Sequence, residues 1–170
     1  RLRRMEIPYV TAPLKRWMSK APWKGPARLA VNVAYTPFLL KKLDAWGTDL
    51  VHTNSSVIPT GAILSGLSGR PHAWHVREFG DLDYGLAHDF GHRIFQFGLN
   101  RADALIAVSC AVRERVLGNV NRPIHVVYNG VISEDQLHNF KPGTVSGSDD
   151  DAPFTFSILG RIQRKKGQEQ

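Results

Sequence analysis

The strongest constraint on the fold is an alternation of short strand-like runs with longer segments of helical periodicity. The run at 104–108 is apolar at every position, as is typical of a parallel strand that helices cover on both faces. The same alternation of strand and helix patterns recurs at 49–53, 57–67, 71–76, 82–99, 104–108, 110–117 and 124–127. The order predicts a βαβ-type α/β domain with a parallel sheet and helices on both faces.

The segments around this repeat carry further secondary-structure signals. The run at 5–10 predicts an additional strand, and the apolar spacing at 26–46 predicts a helix that ends at Gly47. Pro37 is expected to kink or split that helix, because proline cannot donate a backbone hydrogen bond. The residues at 54–56 are expected to cap the helix that begins near 57, which Gly66 and Gly69 should end. Ser109 is expected to cap the helix at 110–117.

Length and composition bound the domain organisation. A chain of 170 residues and 19.0 kDa is long enough for one well-buried domain and short for two. Residues 141–153 are rich in Gly, Ser and Asp without periodicity, which predicts a linker between a domain at 1–140 and the start of a second domain at 154–170, which opens with a strand at 154–159. A chain that starts at Arg1 and stops after one strand of a second domain is expected to be a fragment.

Several broad classes of protein are not expected. No apolar run approaches the roughly 20 residues of a membrane span, and no charged-then-apolar leader opens the chain. The single cysteine, Cys110, cannot form an internal disulfide, and the seven histidines offer no zinc-ligand spacing. We therefore expect no metal site and a reducing, cytoplasmic setting.

Positive charge is concentrated near the start of the chain. Residues 1–28 contain eight Lys or Arg and only Glu6 against them, whereas the other residues balance at 14 of each sign. A nucleic-acid-binding face would need cations on several elements, so no nucleic-acid partner is expected. The segment 14–24 interleaves cations with Trp17, Met18 and Trp23, which leaves two interpretations open. It is either a peripheral contact with an anionic membrane at its inner face or a solvated loop whose tryptophans pack on the domain.

Polar residues follow four of the predicted strands, and ligands of open parallel sheets bind at that edge. After the strand at 49–53, Asn54 and Ser55 are suited either to hold an anion or to cap a helix. The next strand ends in His75, Arg77 and Glu78, the strongest polar cluster of the domain. Beyond them lie an Asn-Gly turn at Asn129 and Gly130 and a basic loop with Gly160, Arg161 and Lys166 that is suited to phosphate. Neither a Walker phosphate loop nor a dinucleotide fingerprint is present.

Taken in order, five motifs resemble the pattern of glycosyltransferase family 4. They are DLVHTNS at 49–55, HVREF at 75–79, ADALIAVS at 102–109 with VRER at 112–115, VYNGV at 127–131, and LGRI at 159–162 with KG at 166–167. The resemblance implies a GT-B fold, in which two Rossmann-like domains face each other across a cleft. On that basis residues 1–140 are an acceptor-side domain lacking its first βα unit, and 154–170 begin the donor domain.

The resemblance also implies roles for individual residues. Gly160, Arg161 and Lys166 would bind the donor diphosphate. His75 would be catalytic, through a hydrogen bond to the transferred sugar or its acceptor. Asn54, Ser55, Arg77 and Glu78 would line the acceptor side, and Asn129 with Gly130 would form the interdomain crossover. The family's glycine-rich loop after the first strand and its Glu-x7-Glu donor motif are expected to fall outside this chain, so this chain alone is expected to be inactive.

The function implied is transfer of a hexose from a nucleoside-diphosphate sugar to a saccharide or lipid-linked acceptor, as in polysaccharide biosynthesis. Retention of anomeric configuration and no cofactor or metal are expected from the same resemblance. Two alternatives come from other classes of protein. One is a non-catalytic module of the same fold that binds a sugar or a nucleotide, and the other is an adaptor that acts on anionic surfaces through residues 14–24.

Overall fold

The computed structural model describes residues 2–130 and 133–139, and every structural statement below concerns these residues. The chain divides into two compact units, Arg1–Asn129 and Gly130–Gln170, which are described separately. In the second unit the described element is helix α6 (Glu134–His138), which begins with a capping box between Ser133 and Gln136. The predicted linker at 141–153 and the predicted start of a second domain at 154–170, with its strand at 154–159, lie outside the described residues.

The first unit contains five helices and six strands. The helices are α1 (Gly25–Ala45), α2 (Thr60–Ser68), α3 (Asp81–Tyr84), α4 (His92–Asn100) and α5 (Cys110–Leu117). The strands are β1 (Met18–Ser19), β2 (Val51–Asn54), β3 (His72–Val76), β4 (Ala87–His88), β5 (Ala104–Ala107) and β6 (Ile124–Val126). Two short 3-10 helices, Leu2–Met5 and Pro22–Lys24, precede α1.

The main sheet has four parallel strands in the order β2-β3-β5-β6. The strands are ordered across the sheet as they are in the chain. Because the crossovers between parallel strands are right-handed, the helices that connect them lie on one face of the sheet. That face is the buried one, and Trp74 at its centre is fully buried. The opposite face carries the more exposed alternate positions, including His52, Asn54 and His125. The α/β fold with a parallel Rossmann-like sheet, predicted from the sequence, is confirmed; helices on the second face stay a prediction.

The apolar core forms between this sheet face and the helices. It includes Met18 from the N-terminal segment, whose side chain is 1% exposed. The largest of the other fully buried apolar side chains come from β3, α4, β5 and α5. They are Trp74, Val76, Leu99, Leu105 and Leu117.

The segment at 5–10 was predicted to be a strand, and this is wrong. Leu2–Met5 form a 3-10 helix, and residues 6–16 have no regular structure. Pro8 and Pro13 lack backbone N–H donors, and a strand without a partner leaves its polar backbone unsatisfied. The N-terminal pairing lies further along, where Met18 and Ser19 of β1 pair antiparallel with His88 and Ala87 of β4.

Helix α1 remains one continuous helix across Pro37 and ends just before Gly47, whose φ is 58°. Pro37 and Val33 are both exposed, so the carbonyl that proline leaves unpaired lies on the solvent side of the helix. The expected split is therefore wrong, and the expected end is confirmed. Thr36, next to the proline, is buried and donates its hydroxyl to the Asn32 carbonyl.

The helix predicted at 82–99 is in fact two helices, α3 and α4, with strand β4 between them. Gly80, Gly85 and Gly91 have φ values of 78°, 59° and 80°. Only glycine adopts such angles without strain, so these residues mark the points where the chain turns. By contrast, α5 and its Ser109 cap are as predicted, since the Ser109 hydroxyl accepts a hydrogen bond from the Val112 N–H.

Buried His72 makes the stability of this domain depend on pH. Its Nε2 lies 2.8 Å from the Thr53 hydroxyl, and its side chain is excluded from solvent. Burial lowers the pKa of His72 from 6.5 to about 4, despite an opposing effect of Asp103. The unfolded chain binds this proton below pH 6.5 and the folded chain only near pH 4. Stability is therefore complete above pH 6.5 and is lost as the pH falls toward 4.

Urea unfolding at pH 7 and pH 4.5 tests this linkage. Lowering the pH from 7 to 4.5 should reduce the unfolding free energy of the wild-type protein by about 2 kcal/mol, because His72 is protonated in the unfolded chain. His72→Gln keeps an amide near the Nε2 position but does not titrate, so it should lose about 2 kcal/mol less than wild type over the same interval. Equal losses in the two proteins would contradict the assignment.

Candidate functional site

Side chains from the carboxyl ends of β2 and β3 meet above the sheet, as the sequence predicts. Glu78 is fixed there by the loop that follows β2. Its Oε1 accepts hydrogen bonds from the Ser55 hydroxyl at 2.6 Å, the Ser56 N–H at 2.6 Å and the Ser56 hydroxyl at 3.0 Å. Within the described part of the chain no hydrogen bond is made by Oε2, so one carboxylate oxygen stays available at the site.

The same loop is held from the core side by two tryptophans. The indole N–H of Trp74 donates to the Ser55 carbonyl and that of Trp17 to the Ser56 carbonyl, each at 2.8 Å. The two indoles stack with their centroids 5.8 Å apart. The loop is therefore bonded on both sides, which fixes the position of Glu78.

These contacts explain why Asn54, Ser55 and Ser56 do not cap the following helix. Helix α2 begins at Thr60, and its N-cap residue, Pro59, provides no side-chain hydrogen bond. The Ser55 hydroxyl donates to Glu78 and accepts from the Val57 N–H, so it supports the loop. The prediction of a cap is wrong because a charged acceptor competes successfully for these hydroxyls.

Arg77 joins three strand ends at this edge. Its Nη2 donates to the Asn129 Oδ1 at 2.8 Å, and its Nη1 makes a longer contact of 3.5 Å with the Asn54 Oδ1. Asn54 ends β2 and Asn129 comes after β6, and these strands lie on either side of β3, which Arg77 follows. The guanidinium is exposed and, in the described residues, forms no ion pair, so its charge remains available to an anionic or hydroxyl-bearing ligand.

His75 lies beside this cluster on the more open face of the sheet. Its ring stacks on His52, with centroids 6.1 Å apart, and is partly buried. Its Nε2 is shielded from solvent and has no hydrogen-bond partner in the part of the chain that the structure describes. Burial first, then the charges of Arg77 and His52, lower the pKa of His75 below 6.5, and Glu78 opposes them. The imidazole is therefore neutral at pH 7 and has one nitrogen without a partner.

The remaining predicted residues follow Asn129 in the sequence. Gly130 is exposed and follows Asn129 directly, at the division between the two compact units. Gly160, Arg161 and Lys166 lie outside the described residues, so their role in donor binding stays a prediction. Three residues that support the site, Ser56, Trp17 and Trp74, were not predicted to do so from the sequence. The signal for Trp74 was its position one residue before His75 in a buried strand, where an indole N–H needs a partner.

The structure separates the residues of the 14–24 segment. Met18 belongs to the core, and Trp17 packs against Trp74 and Phe95. Trp23 alone of the three is mostly exposed, at 74%. The packed interpretation therefore holds for Trp17 and Met18, and any contact with a membrane would rely on Trp23 and the cations.

Two kinds of feature are absent from the described residues. None of the helices combines the length and the apolar character that a membrane crossing needs. In residues 2–130 and 133–139, no three histidine, cysteine or carboxylate side chains gather in a way that suits a metal ion.

Comparison with known proteins gives one match. The model of a family described as Glycosyltransferase Family 4 matches residues 5–135, which is more than half of the chain. The match includes the N-terminal segment and α1, and it ends before the basic loop with Arg161. A search of curated proteins finds no significant match.

Proposed function

Since the chain belongs to glycosyltransferase family 4, we propose that it forms the acceptor-side domain of an enzyme that transfers a hexose from a nucleoside-diphosphate sugar. The proposed acceptor is a saccharide or a lipid-linked sugar acceptor, and the proposed outcome is retention of anomeric configuration. The observation that carries the proposal is the convergence of His75, Arg77 and Glu78 at the carboxyl edge of the sheet, with Glu78 fixed by three hydrogen bonds.

His75 is the central residue of the proposed mechanism. A neutral imidazole with an unpartnered, shielded nitrogen can donate to or accept from a sugar hydroxyl, and burial strengthens such a bond. Leaving that nitrogen without a partner costs about 1–3 kcal/mol, which a bound substrate would recover. We assign to His75 the positioning of the transferred sugar against the acceptor.

Arg77 and Glu78 provide the acceptor-side contacts. The exposed guanidinium, oriented by Asn129, can bind an acceptor hydroxyl or anionic group. The Glu78 Oε2 can accept from a hydroxyl while Oε1 stays bonded to the loop. A fixed carboxylate loses little conformational entropy on binding, so it selects the orientation of the acceptor.

The donor side of the proposal rests on the resemblance. Gly160, Arg161 and Lys166 would contact the diphosphate, where the arginine and lysine would stabilise the charge that develops on the leaving phosphate. The proposal requires no metal or other cofactor.

Replacement of His75 tests the mechanism. In the full-length protein, His75→Ala should lower kcat at least about 100-fold, the scale for loss of one positioned catalytic group. His125→Ala is the matched control, because His125 is an exposed histidine on strand β6 of the same sheet. We expect its kcat to stay near wild type, and circular dichroism should show both variants folded.

Two results would count against the proposal in different ways. Unchanged turnover in His75→Ala would remove this residue from the mechanism. Binding of a nucleotide sugar by the wild-type protein without transfer to any acceptor would favour the non-catalytic binding module.

A further inference from the structure

A second site is suggested by an apolar cavity on the helical side of the sheet. It has a volume of about 220 Å³ and is partly open to solvent. It lies where α1, α2 and α4 begin, since Gly25 is the first residue of α1, Pro59 caps α2 and Phe90 precedes α4. These helices run antiparallel to the strands they flank, so the cavity lies at the same carboxyl edge as His75.

The walls of the cavity are suited to hydrocarbon. Its apolar lining comes from Trp17, Leu29, Pro59, Ile63, Phe90 and Ile94. The one side-chain amide in the lining, Asn32, is 1% exposed and bonded to the Lys15 backbone. Its Oδ1 accepts from the Lys15 N–H at 2.7 Å and its Nδ2 donates to the Lys15 carbonyl at 2.8 Å. The lining is otherwise apolar apart from Arg16, and apolar cavities of roughly this size bind hydrocarbons.

The surroundings of the cavity are positively charged. Arg16 lines it, and Lys24 precedes the lining residue Gly25. Lys15 and Lys20 are exposed on the same segment, and none of these four cations forms an ion pair in the described residues. The nearby carboxylate of Asp89 is already neutralised by Arg28. An occupant with an anionic group beside its apolar part would match this charge.

The cavity and the candidate active site share a wall. Trp17 lines the cavity and donates its indole N–H to the Ser56 carbonyl. The N–H and hydroxyl of Ser56 in turn bind Glu78. A molecule whose chain occupies the cavity would therefore lie against Trp17, which holds the loop that fixes Glu78.

We propose that this cavity binds the aliphatic chain of the acceptor, which is a lipid with an anionic phosphate head. The inference rests on the proposed transferase function and narrows its acceptor to a lipid phosphate. Arg16 and Lys24 contact the head, and the apolar wall from Trp17 to Ile94 holds the chain.

Calorimetric titration of the full-length protein with decyl phosphate, below its critical micelle concentration and without donor, tests the proposal. Ile94→Trp fills the cavity from a half-exposed position and should weaken binding at least about 10-fold. Arg16→Gln, a surface change that preserves packing, should weaken it about five-fold. Leu67→Trp and Lys41→Gln are matched controls with exposed side chains outside the cavity, and both should bind as wild type does.

Several outcomes would overturn the proposal. Equal affinity of wild type and Ile94→Trp for decyl phosphate would show that the chain binds elsewhere. Equal affinity for decyl maltoside, which has the same chain and a neutral head, would overturn the anionic head. Equal sedimentation of wild type and Ile94→Trp with phosphatidylglycerol vesicles, without binding of decyl phosphate, would indicate adsorption of the basic segment to a surface.

The same variants separate this proposal from the transferase function. If Ile94→Trp transfers sugar to a lipid phosphate as efficiently as wild type, the cavity proposal fails and the transferase function stands. If decyl phosphate binds as expected but no acceptor receives sugar, the transferase function fails and the cavity proposal retains only its lipid-binding part.

Discussion

Gly61→Ala should destabilise the domain by about 2–6 kcal/mol, although it adds a single methyl group to a helix. The new Cβ would lie 1.7 Å from the Thr53 Oγ1 and 3.1 Å from the His72 Nε2. Relieving this overlap costs about 1–3 kcal/mol in strain, and breaking the buried Thr53–His72 hydrogen bond adds about 1–3 kcal/mol. Urea unfolding followed by circular dichroism measures the loss.

The control for this prediction lies on the same helix. A Cβ at Gly66 would meet no atom within 4 Å, so Gly66→Ala should be neutral or stabilising by up to about 1 kcal/mol. A second test is the double variant Thr53→Ala with Gly61→Ala, in which most of the overlap is removed. Its destabilisation should be smaller than the sum of the two single effects. Additive effects, or equal effects at Gly61 and Gly66, would refute the close-packing argument.

Asp89→Asn should destabilise the domain by about 3 kcal/mol, since it leaves the Arg28 guanidinium without its counter-charge. The Asp89 carboxylate has 0% exposure and lies 2.5 Å from the Arg28 Nη1 and 2.6 Å from the Ser19 hydroxyl. Arg28 keeps 20% exposure, which places the expected loss at the lower end of the range for buried pairs. Urea unfolding at pH 7 is again the measurement.

The Asp89 prediction has a matched control and a rescue. Asp44→Asn removes the carboxylate of the exposed Arg70–Asp44 pair, and we expect a loss of under about 1 kcal/mol. Adding Arg28→Met to Asp89→Asn removes the unpaired charge and should restore part of the stability. Failure of the double variant to exceed Asp89→Asn in stability would argue against a buried charge as the cause.

The Asp89 cluster also shows why the N-terminal segment could not be placed from the sequence. Asp89 accepts hydrogen bonds from Arg28 and Ser19, which lie 61 and 70 residues earlier in the chain. The interleaved tryptophans and cations at 14–24 are compatible with a surface loop or with a packed segment, and only the pairing of β1 with β4 decides between them. Without that contact, burial of Trp17 and Met18 has no local signal.

The candidate site was predictable to a different degree. His75, Arg77 and Glu78 follow a strand that the apolar pattern predicts, and parallel strands present their carboxyl ends at one edge. The identity of the cluster was therefore available from the sequence. The sequence did not show that the Ser55 hydroxyl holds Glu78 and does not cap α2 or bind a ligand. Helix capping and the binding of a carboxylate require the same kind of side chain, so the pattern alone cannot distinguish them.

The sequence by itself determined the α/β class, the strands of the parallel sheet and the edge at which polar residues meet. Periodicity and glycine positions are local properties of the backbone, so they can be read without knowing the neighbours of a residue. Only the tertiary structure decided that Trp17 joins the core, that Glu78 is anchored 22 residues back at Ser56, and that three helix starts enclose an apolar cavity. Those features depend on side-chain packing between segments distant in the chain, which local patterns do not encode.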